Sequence, residues 1–418
     1  MLELDKILYF VTSSGNYQTG WLWKGLYDEL PTFESRWYLT VGKRFTPSRF
    51  VTRHGEWTLP WPQELPEKFK MPEYNPNFSK SFMQVTDEKA RRIKERIIQG
   101  EKFVVMYSGG IDSTVVLTSL IKNLTNEELE SVWVGASVES VIENPYFWNN
   151  FIQGKIKTID SKITKYDDLI EAGLTPITAD EGDCIFGTLI GLNMYNNYDY
   201  LISDLSEGTK QKLSNLKNRI GDADIHFSTY KDLIIKFLDV PDEKDFGRIL
   251  YEKYVRNIET ASVPVHSLHD FFWWLIFNVK YLNCSVRGAL FYNDRVAWQD
   301  AIMSIENWYN DSEYQLWSMA NNNNGQKIKQ TPLSYKKVAK DYIYDFDKNH
   351  WYNNFKMKLE SMWMIGNQQN VTHLDIHRRP NARIALTKDY EMIYTDTPGV
   401  KEYFLHHLSN YKINWTDI

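Results

Sequence analysis

Phe103-Val-Val-Met-Tyr-Ser108-Gly109-Gly110-Ile111-Asp112-Ser113 is an apolar run that breaks into a small-residue turn, and Thr114-Val-Val-Leu-Thr-Ser-Leu-Ile follows. The apolar run predicts a buried strand. The spacing of Val116, Leu117, Leu120 and Ile121 predicts a helix that ends near Asn123. A strand breaking into Ser-Gly-Gly brings backbone N–H groups close to phosphate oxygens, and the helix adds the positive end of its dipole. Gly109 and Gly110 leave room for an anion, Ser108 and Ser113 offer hydroxyls, and Asp112 can hold a divalent cation. The stretch reads as a pyrophosphate-binding loop. No GxxxxGK[ST] string occurs, so a loop with a lysine on the β and γ phosphates is disfavoured.

Outward from the loop the pattern is α/β. Asp87 to Ile98 has helical spacing, with Ala90, Ile93 and Ile97 on one face. Ser131-Val-Trp-Val-Gly135 predicts a second strand at a distance suited to a parallel crossover, which places Gly135, Ala136 and Ser137 at a nucleotide-facing strand end. Leu174-Thr-Pro-Ile-Thr178 and Tyr200-Leu-Ile-Ser203 are further strand candidates. Beyond about residue 225 the pattern is mostly helical, with aromatic residues concentrated in 263–320. Asn321 to Gly325 reads as a polar loop and His373 to Tyr394 as a late hairpin. His373 and His377, with Arg378 and Arg379, read as surface residues. Residues 1–85 read as a small β-containing module with strands near Lys6, Ser35 and Phe50, closed by a proline-rich linker from Pro60 to Pro76. The expected division is this module, an α/β nucleotide-binding core over 86–235, and a mostly helical substrate region over 236–418.

Composition narrows the function classes. Apolar residues at 43% and charged residues at 24% are ordinary for a globular protein, whereas 15 Trp and 26 Tyr imply aromatic-rich packing. A net charge of −6 argues against a large nucleic-acid footprint, although Lys, Arg and aromatics interleave in the C-terminal half. With Cys184 and Cys284 as the two cysteines, a four-cysteine zinc site is excluded and nothing suggests a disulfide scaffold. Met1-Leu-Glu-Leu-Asp-Lys lacks a signal-peptide profile, and the apolar stretch Phe271 to Phe277 is too short to span a bilayer. A cytoplasmic location without membrane contact is the expectation.

A second constellation, Thr178-Ala-Asp180-Glu181-Gly182-Asp183-Cys184-Ile-Phe186-Gly187, follows a strand candidate and opens a helix pattern. Carboxylates alone repel phosphate, and a bridging Mg²⁺ reverses that logic. The alternative is an acidic helix N-terminus without any ligand.

Ser108 to Ser113 resembles the SGGxDS signature of the PP-loop (N-type) ATP pyrophosphatases, which split ATP between the α and β phosphates. The second segment is similar to the GEGSDELFGG loop of their asparagine synthetase branch. Asp183, Phe186 and Gly187 match, while Ala179, Glu181 and Cys184 depart from the motif. The resemblance implies a parallel-sheet core of the adenine nucleotide alpha hydrolase-like kind. It also implies ATP on Ser108, Gly109, Gly110, Ile111, Asp112, Ser113 and Gly182, with Mg²⁺ on Asp112 and Asp183. Two weaker similarities lie downstream. Asp294-Arg295 resembles the pair before that branch's substrate-site helix, with Glu306 as the corresponding acid or as a solvated helix carboxylate. Tyr335 to Lys340 resembles the KxxLR element, with Lys336 and Lys340 sharing a helix face toward the leaving pyrophosphate or forming a plain basic surface.

The activity so implied is adenylation of a carboxylate-like substrate, followed by transfer to ammonia or an amine. The branch's glutaminase begins with a catalytic cysteine. Leu2 and the lack of any cysteine before Cys184 make internal ammonia production unexpected, so a separate glutaminase is the implied partner if glutamine is the source. Two other readings stay open: a PP-loop enzyme acting on a nucleobase or nucleic acid, and a catalytically silent nucleotide-binding protein.

Overall fold

The structure is a computed structural model. It describes residue 53 and residues 67–161, 164, 166–187, 198–203, 205–220, 222–238, 245–281, 284–285, 303–320, 336–356, 384–386 and 392–394. The strands expected near Lys6 and Ser35, the loop at Asn321 and the histidines at 373 and 377 lie outside these residues, as does nearly all of the strand expected near Phe50. The principal elements in chain order begin with α1 Phe82–Ile98, β1 Lys102–Met106, α2 Ile111–Asn123, β2 Val132–Ala136, α3 Val138–Glu143, β3 Lys157–Asp160, α4 Tyr166–Glu171 and β4 Leu174–Thr178. They continue with α5 Gly182–Phe186, α6 Lys231–Leu238, α7 Phe246–Glu259, α8 Leu268–Leu275, β5 Glu306–Asn307, α9 Ser312–Ala320, α10 Lys337–Asp347, α11 His350–Phe355, and the antiparallel pair β6 Ile384–Leu386 and β7 Met392–Tyr394.

The chain divides into two compact units. One takes in the described residues of Met1–Val85, Asp180–Leu290 and Tyr309–Thr331, and the other those of Thr86–Ala179, Phe291–Trp308 and Pro332–Ile418.

The second unit is an α/β fold around an all-parallel sheet in the order β3-β2-β1-β4-β5. β1 lies at its centre, with Val104 opposite Trp133 on one side and Pro176 on the other. Phe103, Val104 and Val105 are all buried, as a strand covered on both faces requires. The chain runs outward from β1 through β2 to β3, then returns to place β4 on the far side of β1. Strand order therefore reverses between β1 and β4, and in open parallel sheets ligands bind at the carboxyl ends beside such a reversal. Ser81 and Gln84 exchange side-chain and backbone hydrogen bonds ahead of α1, a capping box. α1 then buries Ala90, Ile93 and Ile97, the face that the sequence pattern predicts.

Three expectations are corrected here. Lys157–Asp160 forms an edge strand that the sequence reading passes over, because the segment is short and only half-buried. Tyr200-Leu-Ile-Ser203, expected as a strand, lies in and just after the helix Tyr198–Ile202. A short apolar run fits either period, and burial of Leu201 and Ile202 in a helical cluster decides it. Glu306 is no helix carboxylate. It sits on β5, paired with β4 through Ile177.

The first unit is built from aromatic helix packing. Leu233, Leu238, Leu250, Tyr254, Phe271 and Phe272 belong to one buried cluster, with the Phe271 and Phe272 rings edge-on at 5.2 Å. Ser267 and Asp270 form a capping box that starts α8. The indoles that follow find partners: Trp273 Nε1 donates to Ser318 Oγ at 3.0 Å and Trp274 Nε1 to Asn257 Oδ1 at 2.9 Å. Arg53 is buried in the same unit, donating to the carbonyls of Phe69 and Phe277 and to Gln315 Oε1, with its guanidinium 3.7 Å from the Tyr281 ring centroid. Among the described residues, no helix is long and apolar enough to cross a membrane.

Candidate functional site

β1 ends at Met106, and Tyr107 leads into Ser108-Gly109-Gly110 at the carboxyl end of the central strand. Gly109 has φ +74, a left-handed conformation that glycine adopts without strain. A Cβ there would lie 2.2 Å from the Ser140 carbonyl oxygen and 2.8 Å from Glu143 Cβ, so the position admits no side chain. The turn is braced from within. Ser113 Oγ accepts from Ser108 N–H at 3.1 Å, and Gly110 N–H donates to Ser108 Oγ at 3.2 Å. The hydroxyls offered to an anion by the sequence reading are thus also the loop's own scaffold. Gly110 caps α2 without a side chain, so no side-chain oxygen occupies the first-turn amides.

Asp112 in that first turn is favourable to the helix dipole but adverse to an anion. Lys336 answers it: its ammonium donates to Asp112 Oδ2 from 224 residues away. Lys336 is buried, and it holds a left-handed φ of 53 as the residue preceding α10. For a residue with a Cβ this conformation costs about 1–2 kcal/mol, which the ion pair offsets. Lys336 and Lys340 therefore do not share a helical face as expected. Lys336 stands outside the helix, whereas Lys340 lies within it, is fully buried, and donates to the Lys356 carbonyl at 3.3 Å. Burial, then the charges of Lys337 and Lys356, pull the Lys340 ammonium down to about 8 against the opposing Asp341.

Two site residues escape the sequence reading. Glu143 and Lys356 form a buried pair, Nζ to Oε1 at 2.7 Å, directly behind Gly109. Burial lowers the Lys356 pKa while Glu143 raises it, and burial prevails. Removing either partner would leave an isolated buried charge. No short motif carries this pair, since its members are 213 residues apart. Tyr107, just before the loop, is buried, and desolvation pushes its hydroxyl well up, with Glu143 and Asp347 adding to the effect. Asp347 at the end of α10 is itself raised to about 6 by burial.

The remaining predicted positions are placed as follows. Gly135 and Ala136 close β2, and Ser137 caps α3 with a reciprocal Ser140 bond. Ile111 and Ser113 are buried in the first turn of α2. Glu306 is engaged by Lys89 at 2.6 Å and Arg96 at 2.5 Å. Burial raises its pKa, but the two cations outweigh it, and the carboxyl is held below the ordinary range. That environment ties a strand to a helix and leaves the carboxylate fully engaged.

Gly182 and Asp183 open α5 in the first unit, whereas Asp112 belongs to the second. Glu181, which precedes α5, is buried, and desolvation followed by Asp180 pushes its carboxyl up to about 8, against a backbone amide and the Ser285 hydroxyl. Among the described residues, no group of three or more His, Cys, Asp or Glu side chains is placed to hold a metal ion. Mg²⁺, however, commonly uses only one or two protein carboxylates together with substrate phosphates. A partly exposed Asp112 at an uncapped helix start fits that mode.

Set against known proteins, the chain matches no family model, no curated protein and no solved structure.

Proposed function

We propose that the chain is an ATP-dependent, AMP-forming ligase of the PP-loop kind. It would adenylate a carboxylate-like substrate, release pyrophosphate, and hand the activated acyl group to ammonia or an amine, supplied free or by a separate glutaminase. The observation that carries this reading is the meeting of Lys336 with Asp112 at the mouth of the Ser108–Ser113 loop, on the central strand of a parallel sheet. An open row of amides receives phosphate oxygens, and a nearby buried lysine supports negative charge growing on a leaving group.

In this reading the amides of Gly109 and Ile111 bind phosphate, while the Gly110 N–H stays on Ser108 Oγ. Asp112 holds the cation, and Lys336, released from Asp112, turns to the pyrophosphate oxygens. Glu143 and Lys356 keep the floor under Gly109 rigid. Mg²⁺ would supply charge neutralisation on the phosphates when bound through Asp112. Positioning and electrostatics carry the rate.

The test is incubation of purified protein with Mg²⁺, α-labelled ATP and pooled amino acids, ammonia or nucleic acid, with AMP resolved from ADP. AMP formation that disappears in Asp112→Ala supports the ligase, and the productive pool names the substrate class. ADP as product rules the mechanism out. Product formed only with nucleic acid favours base modification instead.

A further inference from the structure

Cys184 is one of the residues that depart from the second-loop motif, and nothing in the proposed chemistry uses it. It lies in α5, fully buried, and its Sγ is 3.9 Å from Sγ of Cys284, which is equally buried. Neither is in a disulfide, and both belong to the first unit. The approach is made by local irregularity. Between α8 and Cys284 the helix widens into a π-helical turn over Ile276–Lys280, a feature that often marks functional positions because it shifts the helical phase. The two sulfurs stand 3.9 Å apart, against a covalent length of about 2 Å.

We propose that Cys184 and Cys284 are a redox modification site, a dithiol that peroxide closes to an intramolecular disulfide. One of the two sulfurs, as its thiolate, attacks one oxygen of hydrogen peroxide, breaking the O–O bond to give a sulfenic acid and hydroxide. The other sulfur then displaces the hydroxyl. An S–S bond forms, and water leaves with the proton of that second thiol. In sum, two thiols are oxidised and one peroxide is reduced to two waters. The site stands independently of the ligase reading.

The experiment is a peroxide titration of the native full-length chain, with remaining thiols counted after denaturation in a blocking reagent and the products mapped by mass spectrometry. Free thiols fall from two per chain to none, with the loss of two hydrogens, a peptide joining 184 to 284, and full reversal by dithiothreitol. In Cys284→Ser and in Cys184→Ser the remaining cysteine has no resolving sulfur, so dimedone labels it after peroxide treatment. Survival of both thiols at a peroxide excess that oxidises free glutathione overturns the proposal. So does addition of oxygen without a crosslink, or a crosslink between two chains. The wild-type mapping decides the matter even if a variant fails to fold.

Discussion

In the unit built on the parallel sheet, one place gathers several buried charges: Lys336, Lys340, Lys356 and Glu143 all stand near the loop that follows β1. In the helical unit the buried polar groups mostly close structural hydrogen bonds. Trp273 meets Ser318, Trp274 meets Asn257, and Asp270 caps its own helix. Desolvating a lysine is costly, and burial of three in one region is not what packing alone selects. Aromatic residues, by contrast, bury large area with few polar atoms to satisfy. The contrast teaches that the sheet unit concentrates buried lysines beside one loop, whereas the helical unit buries mainly aromatic area.

Substitutions break or sharpen that contrast. The largest stability effect belongs to the helical unit: Trp273→Ala removes a buried indole and leaves the Ser318 hydroxyl without its donor, and costs about 3–5 kcal/mol in denaturant unfolding. In the sheet unit the largest effect falls on activity. Lys336→Met lowers AMP formation about a hundredfold or more in the labelled-ATP assay. If turnover is unchanged, the lysine is structural and the contrast fails. Gly109→Ala forces a Cβ against the Ser140 carbonyl at positive φ, and costs about 1–3 kcal/mol together with nucleotide binding, read by calorimetric titration.

Two buried groups, one in each unit, answer pH with opposite signs. Glu181 folds with its carboxyl raised to about 8 from 4.5, so the folded chain keeps a proton that the unfolded chain has lost. Its contribution is whole below the lower value and disappears as pH rises toward 8. Glu181→Gln removes that decline in the melting temperature measured across the window. Lys340 folds with its ammonium lowered to about 8 from 10.5, so stability is gained as pH rises between those values, and Lys340→Met flattens that limb. The smallest effect is Arg248→Ala. Its pairs with Asp245 and Glu252 are on the surface, and the melting temperature stays where it was.

The loop and the strands beside it were legible because their signals are local. An apolar run, a glycine pair and a 3.6-residue period each lie within a dozen residues. β3 was not legible, since a half-buried edge strand shows neither alternation nor a continuous apolar run. β5 contributes only Glu306 and Asn307, too few to carry a pattern. Lys336 was legible as a residue but not in its conformation, because a left-handed lysine obeys no propensity and is held by a partner far along the chain. Glu143 with Lys356, and Arg53 with Gln315, are pairings of the folded state alone.

The distance in sequence between Asp112 and Lys336 also sets a clock. Synthesis proceeds at about 5–20 residues per second, so the 224 residues between them take about 10 to 45 s to add. Strands β1 to β4 are complete long before that interval ends. For those seconds the nascent chain carries the Asp112 carboxylate without the lysine that answers it. Completion of the site is therefore timed by the ribosome.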